Sequence, residues 1–255
     1  MRTTPPAESL VELAARKQLP RHQYTDHATV RWIEANRPAF ADSPPPRLRP
    51  AVQQLVLHAA IPTAWLVEPC LADSLHGIRH AMRTAALAAA LAEAEGIPED
   101  AAATLVMAAA VHDCRRFHDK DDQGHGARAA SWLTHNAPTI CQHFRTTATA
   151  GRIDAAGTAV RLHERPYDAF TPDETEQYNQ ARQVTDLLKA ADALDRYRLP
   201  KLSWWPDSTR VRCTAFEALQ PAAFELTVTS EAAHLAGLDS ADAVAQALEA
   251  WGVRR

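Results

Sequence analysis

The stretch "AAAVHDCRRFHDKDDQGHGARAA", Ala108–Ala130, decides how this chain reads. Just upstream and into it, Ala101 to Val111 carries no charged residue and reads as a helix buried on every side. That helix ends by presenting His112 and Asp113 side by side. Polar groups at the end of a core helix need partners, because burying them alone is costly. Either the pair closes a hydrogen-bond network, or it holds a species that needs both a nitrogen and an oxygen ligand. Consecutive helical residues point about 100° apart, yet at a helix end both can bend toward one ion.

Outward from this stretch, alanine is abundant, glycine is scarce at 8 residues, and apolar residues recur at spacings of three and four, so the chain reads as all-α. The pattern predicts helices over Glu8–Gln18, Asp26–Asn36, Leu48–Leu66, Ser74–Glu95, Glu99–Val111, Gly126–His135, Pro138–Thr149, Ile153–His163 and Glu174–Tyr197. Gly96 ends one helix and Pro98 opens the next, with acids in its first turn. "DSPPPRLRP" and "RLPKLSWWPDS" cannot continue a helix. The expected organisation is a helical extension over residues 1–70, a bundle core over 71–200, and a C-terminal helical extension over 201–255 packed on that core. The tail reads as clearly helical only at Ser240–Trp251.

With 255 residues the chain can bury a sizeable core, and a net charge of −4 argues against a nucleic-acid partner. Cys70, Cys114, Cys141 and Cys213 form no close-spaced pair, so free thiols in a reducing compartment are expected and a thiolate zinc site is not. "MRTTPPAESLVELAARKQLP" has no apolar leader and no segment reaches transmembrane length, so a cytoplasmic protein without a membrane partner is expected. No Gly-rich phosphate loop or serine nucleophile elbow is present.

Other polar residues interrupt small-residue helix faces in the same way. His80 lies in "SLHGIRHAMRTAALAAALA", His125 opens "GHGARAASWL", His163 ends "AAGTAVRLH", and Asp192 sits among alanines in "VTDLLKAADALDRYR". A divalent cation would relieve the desolvation of all of them together. His80, His112, Asp113 and Asp192 make a nitrogen and oxygen set suited to Mn, Fe, Ni, Co, Zn or Mg. Taken singly, each has a plainer reading. His80, His125 and His163 would be partly buried or surface histidines, and Asp192 a partner of Arg196 one turn on. Trp204 and Trp205 read either as rings stacking a base at a pocket rim or as a cover over the core.

In this order (His80, the His112–Asp113 dipeptide, then Asp192 in "KAADALDR") the chain resembles the HD-domain superfamily of metal-dependent phosphohydrolases over roughly Leu71 to Leu199. His80 and Arg83 match the "HxxR" of that family's opening helix, and Arg116 stands where an "HDxxK/R" pattern has its cation. "DDQGHGARAA" and "AVRLHE" resemble the segments that carry further histidines in members with a larger site. The resemblance implies an HD-type helical bundle in which His80, His112, Asp113 and Asp192 bind one divalent ion. It also implies that His125 and His163 bind a second, with Asp113 bridging. The expected chemistry is hydrolysis of a phosphate ester or anhydride, with a nucleotide as the favoured small-molecule substrate. Bound water would fall in pKa from about 15.7 toward about 7. Arg115 or Arg116 would grip phosphoryl oxygens, and Asp119 or Asp122 would orient water or the leaving group. Two other readings stand beside it: a di-iron oxygenase cleaving a C–C or C–P bond, and a non-catalytic module binding a nucleotide or partner. The segment before the core is expected to cover the site or to make a contact in a homodimer.

Overall fold

A computed structural model describes residues 8–41, 43, 44 and 46–254. The reading of Met1–Ala7 as lacking an apolar leader, and part of the "DSPPPRLRP" break, lie outside the described residues. Twelve α-helices and no strand occur among the described residues, as the composition predicts. They are α1 (Leu10–Ala15), α2 (His27–Ala35), α3 (Pro50–Leu57), α4 (Ile78–Ala94), α5 (Glu99–Val111), α6 (His125–His135), α7 (Ala137–His143), α8 (Ala150–Leu162), α9 (Pro172–Gln180), α10 (Arg182–Leu194), α11 (Phe216–Leu235) and α12 (Ser240–Leu248).

Local chemistry sets most boundaries. Ser9 and Glu12 close a capping box on α1, Thr171 and Glu174 do the same on α9, and Asp26, Thr149 and Asp239 cap α2, α8 and α12. Several expected helices are shorter or divided; Glu8–Gln18, for one, is helical only over Leu10–Ala15. The one over Leu48–Leu66 ends at Leu57, and the chain then runs through Pro62 into a single 3₁₀ turn. The one over Pro138–Thr149 ends at His143, beyond which Arg145 adopts a φ of 51°. Glu174–Tyr197 is two helices, broken at Ala181 and finished by a 3₁₀ turn over Asp195–Arg198.

The expectation for the tail needs correcting. Helix α11 runs 20 residues through Phe216–Leu235, with Pro221 inside it. Proline there removes the bond to the carbonyl one turn earlier and crowds that carbonyl with its ring, at a cost of about 3 kcal/mol. Burial of Phe216, Leu219, Ala223, Phe224 and Leu226 outweighs that loss.

Helix α4 forms the centre of the bundle, packed by α5, α10, α11 and α12. Ala85, Ala86, Ala88 and Ala89 on it are wholly buried, and their small side chains let those neighbours approach closely. Trp205, Tyr197, Phe224 and Trp32 stack edge to face where α2 and α11 meet the 3₁₀ segments, so Trp205 closes the core as one of its two readings had it. No described helix is long and apolar enough to cross a membrane.

Candidate metal centre

Five elements deliver their polar residues to one place. His80 lies one turn into α4, His112 and Asp113 follow α5, His125 opens α6, His163 ends α8, and Asp192 lies on α10. His80 and His112 are wholly buried, and Asp113, His125 and His163 are nearly so. Their atoms form two groups that share Asp113. In the first, His80 Nε2 lies 3.1 Å from His112 Nε2, 3.5 Å from Asp113 Oδ2 and 3.4 Å from Asp192 Oδ1. In the second, Asp113 Oδ1 lies 3.0 Å from His125 Nε2 and 3.4 Å from His163 Nε2, and those two nitrogens are 3.0 Å apart. All six expected metal ligands therefore stand together.

Each imidazole is oriented by its other nitrogen. Nδ1 of His112 bonds the Ala109 carbonyl at 2.6 Å, that of His125 the Asp122 carbonyl at 2.7 Å, and that of His163 the Val160 carbonyl at 2.7 Å. Nδ1 of His80 meets Asp195 Oδ2 at 2.8 Å. An acceptor facing Nδ1 places the proton there and turns the Nε2 lone pair inward, which is how metal-bound histidines are held. Two inward lone pairs about 3 Å apart repel unless a cation lies between them. Asp113 Oδ1 is buried without a hydrogen-bond partner, so a carboxylate oxygen too is left for a cation. The donor set therefore fits a divalent ion in each group.

Electrostatics agree with this. Burial opposes charging of His112 and His125, but the neighbouring carboxylates outweigh it. His112 is raised, and His125, beside Asp113 and Glu164, is raised to about 10. His163 is lowered by burial and by the imidazoles of His112 and His125. Burial disfavours ionised Asp113 and Asp192, yet Arg116, His112 and His125 hold the first, and His112, His80 and Arg198 the second, well below the carboxylate range. Without a metal, the charge that Asp113 and Glu164 favour on His125 stands in the cation's place.

The remaining expected residues divide. Arg116 Nη1 lies 3.6 Å from Asp113 Oδ2 and 3.2 Å from His125 Nε2, while Nη2 donates to the Lys120 carbonyl. Arg115 is not brought to the centre: it donates to the Trp65 carbonyl and faces the Trp132 ring, because the turn after α5 sends successive side chains to opposite sides. Asp119 lines the cavity, but its oxygens already accept from Gln23 N, Ser74 Oγ, His76 N and His76 Nδ1. That saturation makes it a clamp between the N-terminal segment and the loop before α4. Asp122 Oδ2 accepts from Phe117 N and Arg128, tying down the turn. Asp192 faces the two histidines, whereas Arg196 donates to the Trp204 carbonyl.

Three functional neighbours escaped the sequence reading. Asp195 orients His80 and also accepts from Arg83 Nε at 2.6 Å. Its place three residues after Asp192, on the same helix face, was the available signal. Glu164 receives Gly124 N and Gly126 N and lies 3.1 Å from His125 Nδ1. Lys189 donates to the carbonyls of Leu162, His163 and Arg165, fixing the end of α8 that presents His163. The centre opens on a cavity of about 740 Å³ lined by Asp113, Arg116, His125, His163 and Asp192 among others. That volume suits a small organic molecule. Compared with protein-family models, curated proteins and solved structures, the chain matches none.

Proposed function

We propose that this chain is a metal-dependent phosphohydrolase acting on a phosphate ester or anhydride, with nucleotides as the favoured substrate class. One observation carries the reading. Four histidines, each anchored through Nδ1, aim Nε2 at buried carboxylates in two groups joined by Asp113. The order of these residues along the chain resembles the HD-domain superfamily.

His80, His112, Asp113 and Asp192 would hold one divalent ion, and Asp113, His125 and His163 a second. An ion bound there supplies Lewis acidity toward a phosphoryl oxygen and makes water acidic near neutral pH. Arg116 lines the same cavity beside Asp113 and places a permanent positive charge where phosphoryl oxygens would lie. His76, with Nδ1 on Asp119 and burial pushing its pKa down to about 3, stays neutral and keeps Nε2 as an acceptor at the cavity wall. Asp119 and Lys189 act on position, holding the loop before α4 and the end of α8.

The four-histidine, two-carboxylate set with a shared Asp113 is also the inventory of a di-iron oxygenase, so that chemistry is the second reading. Elemental analysis of chain purified without chelator, together with product release from a nucleotide panel in Mn²⁺, separates the two. Hydrolysis without dioxygen consumption supports the first; two irons per chain with oxygen uptake replaces it. Asp113→Asn is expected to lower turnover by more than about 100-fold, the upper end for a change one layer further from the ion. An Asp113→Asn variant that turns over like the parent overturns both readings.

A further inference from the structure

Behind the metal centre lies a second cavity of about 630 Å³. It shares His163, Glu164, Asp192 and Arg196 with the first, so the two are lobes of one space divided by those side chains. The segment that carries Trp204 and Trp205 borders both lobes: Trp204 lines the first and Trp205 the second.

Two arginines in this space lack a carboxylate partner. Arg196 is fixed by donation from Nε to the Trp204 carbonyl at 2.6 Å, and among the described residues its two terminal nitrogens meet no acceptor. Arg212 in the second lobe lies with its guanidinium carbon 4.1 Å from the Tyr167 ring centroid and donates from Nη1 to Tyr178 Oη. No ion pair involves it among the described residues; the hydrogen bond to Tyr178, with smaller help from Tyr167 and Asp186, raises its pKa. By contrast, Arg210 in that lobe pairs with Asp207, and Arg165 with Glu174. A guanidinium pinned on one edge and free on the other is preorganised for an oxyanion. Lys189 is not part of such a site, since three carbonyls occupy its ammonium group.

From this geometry we propose that the substrate carries two separated anionic groups: one at the metal centre, the other held in the second lobe by Arg196 and Arg212. The choice of which group reacts rests on the hydrolytic reading above; the binding of a second anion does not. Arg196, at the junction, is the residue that discriminates doubly from singly anionic ligands.

The test compares adenosine 2′,5′-bisphosphate with adenosine 5′-monophosphate on full-length chain in Mn²⁺. Binding is followed calorimetrically, and phosphate release is measured in parallel. The bisphosphate is expected to bind about tenfold tighter or more, and Arg196→Gln and Arg212→Gln each to erase most of that preference. Equal affinity for the two probes, or an unchanged preference in both variants, overturns the proposal. An arginine-dependent preference without any phosphate release leaves the two-anion site standing and removes the hydrolytic reading instead. Preference for the bisphosphate lost in Arg212→Gln alone overturns the role given to Arg196.

Discussion

Replacing Asp195 by asparagine keeps its shape and removes its charge, which isolates its part in the centre. The carboxylate is wholly buried and accepts from Arg83 Nε at 2.6 Å, Arg83 Nη2 at 3.1 Å and His80 Nδ1 at 2.8 Å. Arg198 Nη1 lies 3.4 Å from the same Oδ2. An amide offers one oxygen where two charged oxygens stood, and its NH₂ must face a donor. Two consequences follow. Breaking a buried ion pair costs about 3–5 kcal/mol. At about 2–4 °C per kcal/mol for a chain near this size, Tm falls by roughly 6–20 °C. Loss of the acceptor on Nδ1 also frees the His80 ring to rotate, and changes of that kind weaken metal binding about 10–100-fold. Calorimetric titration of chelator-stripped chain with Mn²⁺, well below the variant's Tm, measures the second effect. Glu231→Gln is the control. It unsettles the same lattice through Arg79 and Arg83 but does not touch a histidine, so its metal affinity should stay within about threefold of the parent. Asp195→Asn with metal affinity equally close to the parent would refute the argument that Asp195 orients His80.

Further expectations concern charge and packing. Glu231, buried between Arg79 and Arg83, is held down to about 2 from 4.5, because the arginines outweigh its desolvation. Its stabilising contribution, on the order of 3 kcal/mol, is present above pH 4.5 and lost as pH falls through about 2. The stability gap between parent and Glu231→Gln in urea titrations should therefore narrow over that window; a gap independent of pH contradicts it. With His125 raised to about 10 and His112 raised as well, metal must displace protons from the centre. Affinity should climb with pH between 6 and 8, and titrations in buffers of different ionisation enthalpy should register at least about one proton released; none released would count against the ligand set. A Cβ on Gly126 would meet the Val160 carbonyl at 2.7 Å, so Gly126→Ala should force α6 off α8, cost about 1–3 kcal/mol and weaken the metal group of His125 and His163. A variant as stable as the parent would show that the two helices can part without penalty.

Much of this molecule is legible along the chain because its cues are local. Helix type follows from alanine content and three-and-four spacing, and α5 lies at its expected bounds because Pro98 and the acids after it mark the start. The six candidate ligands were recognisable because each is a polar residue set in small or apolar helix where burial alone would be unfavourable. Helix α11 was hidden because Pro221 breaks the local rule, and burial against α12, α4 and α2 overrides it. Arg115 and Arg116 are adjacent and chemically alike; the turn after α5 decides that Arg116 reaches Asp113 and Arg115 the Trp65 carbonyl. Likewise Asp195 is close to Arg198 in sequence, yet its main partners, His80 and Arg83, are more than a hundred residues away. Residue chemistry and spacing thus determine which groups seek a cation. Which of them meet, which nitrogen each imidazole turns inward, and which arginines remain unpaired depend on long-range packing, since those outcomes are set by contacts between helices that no local pattern encodes.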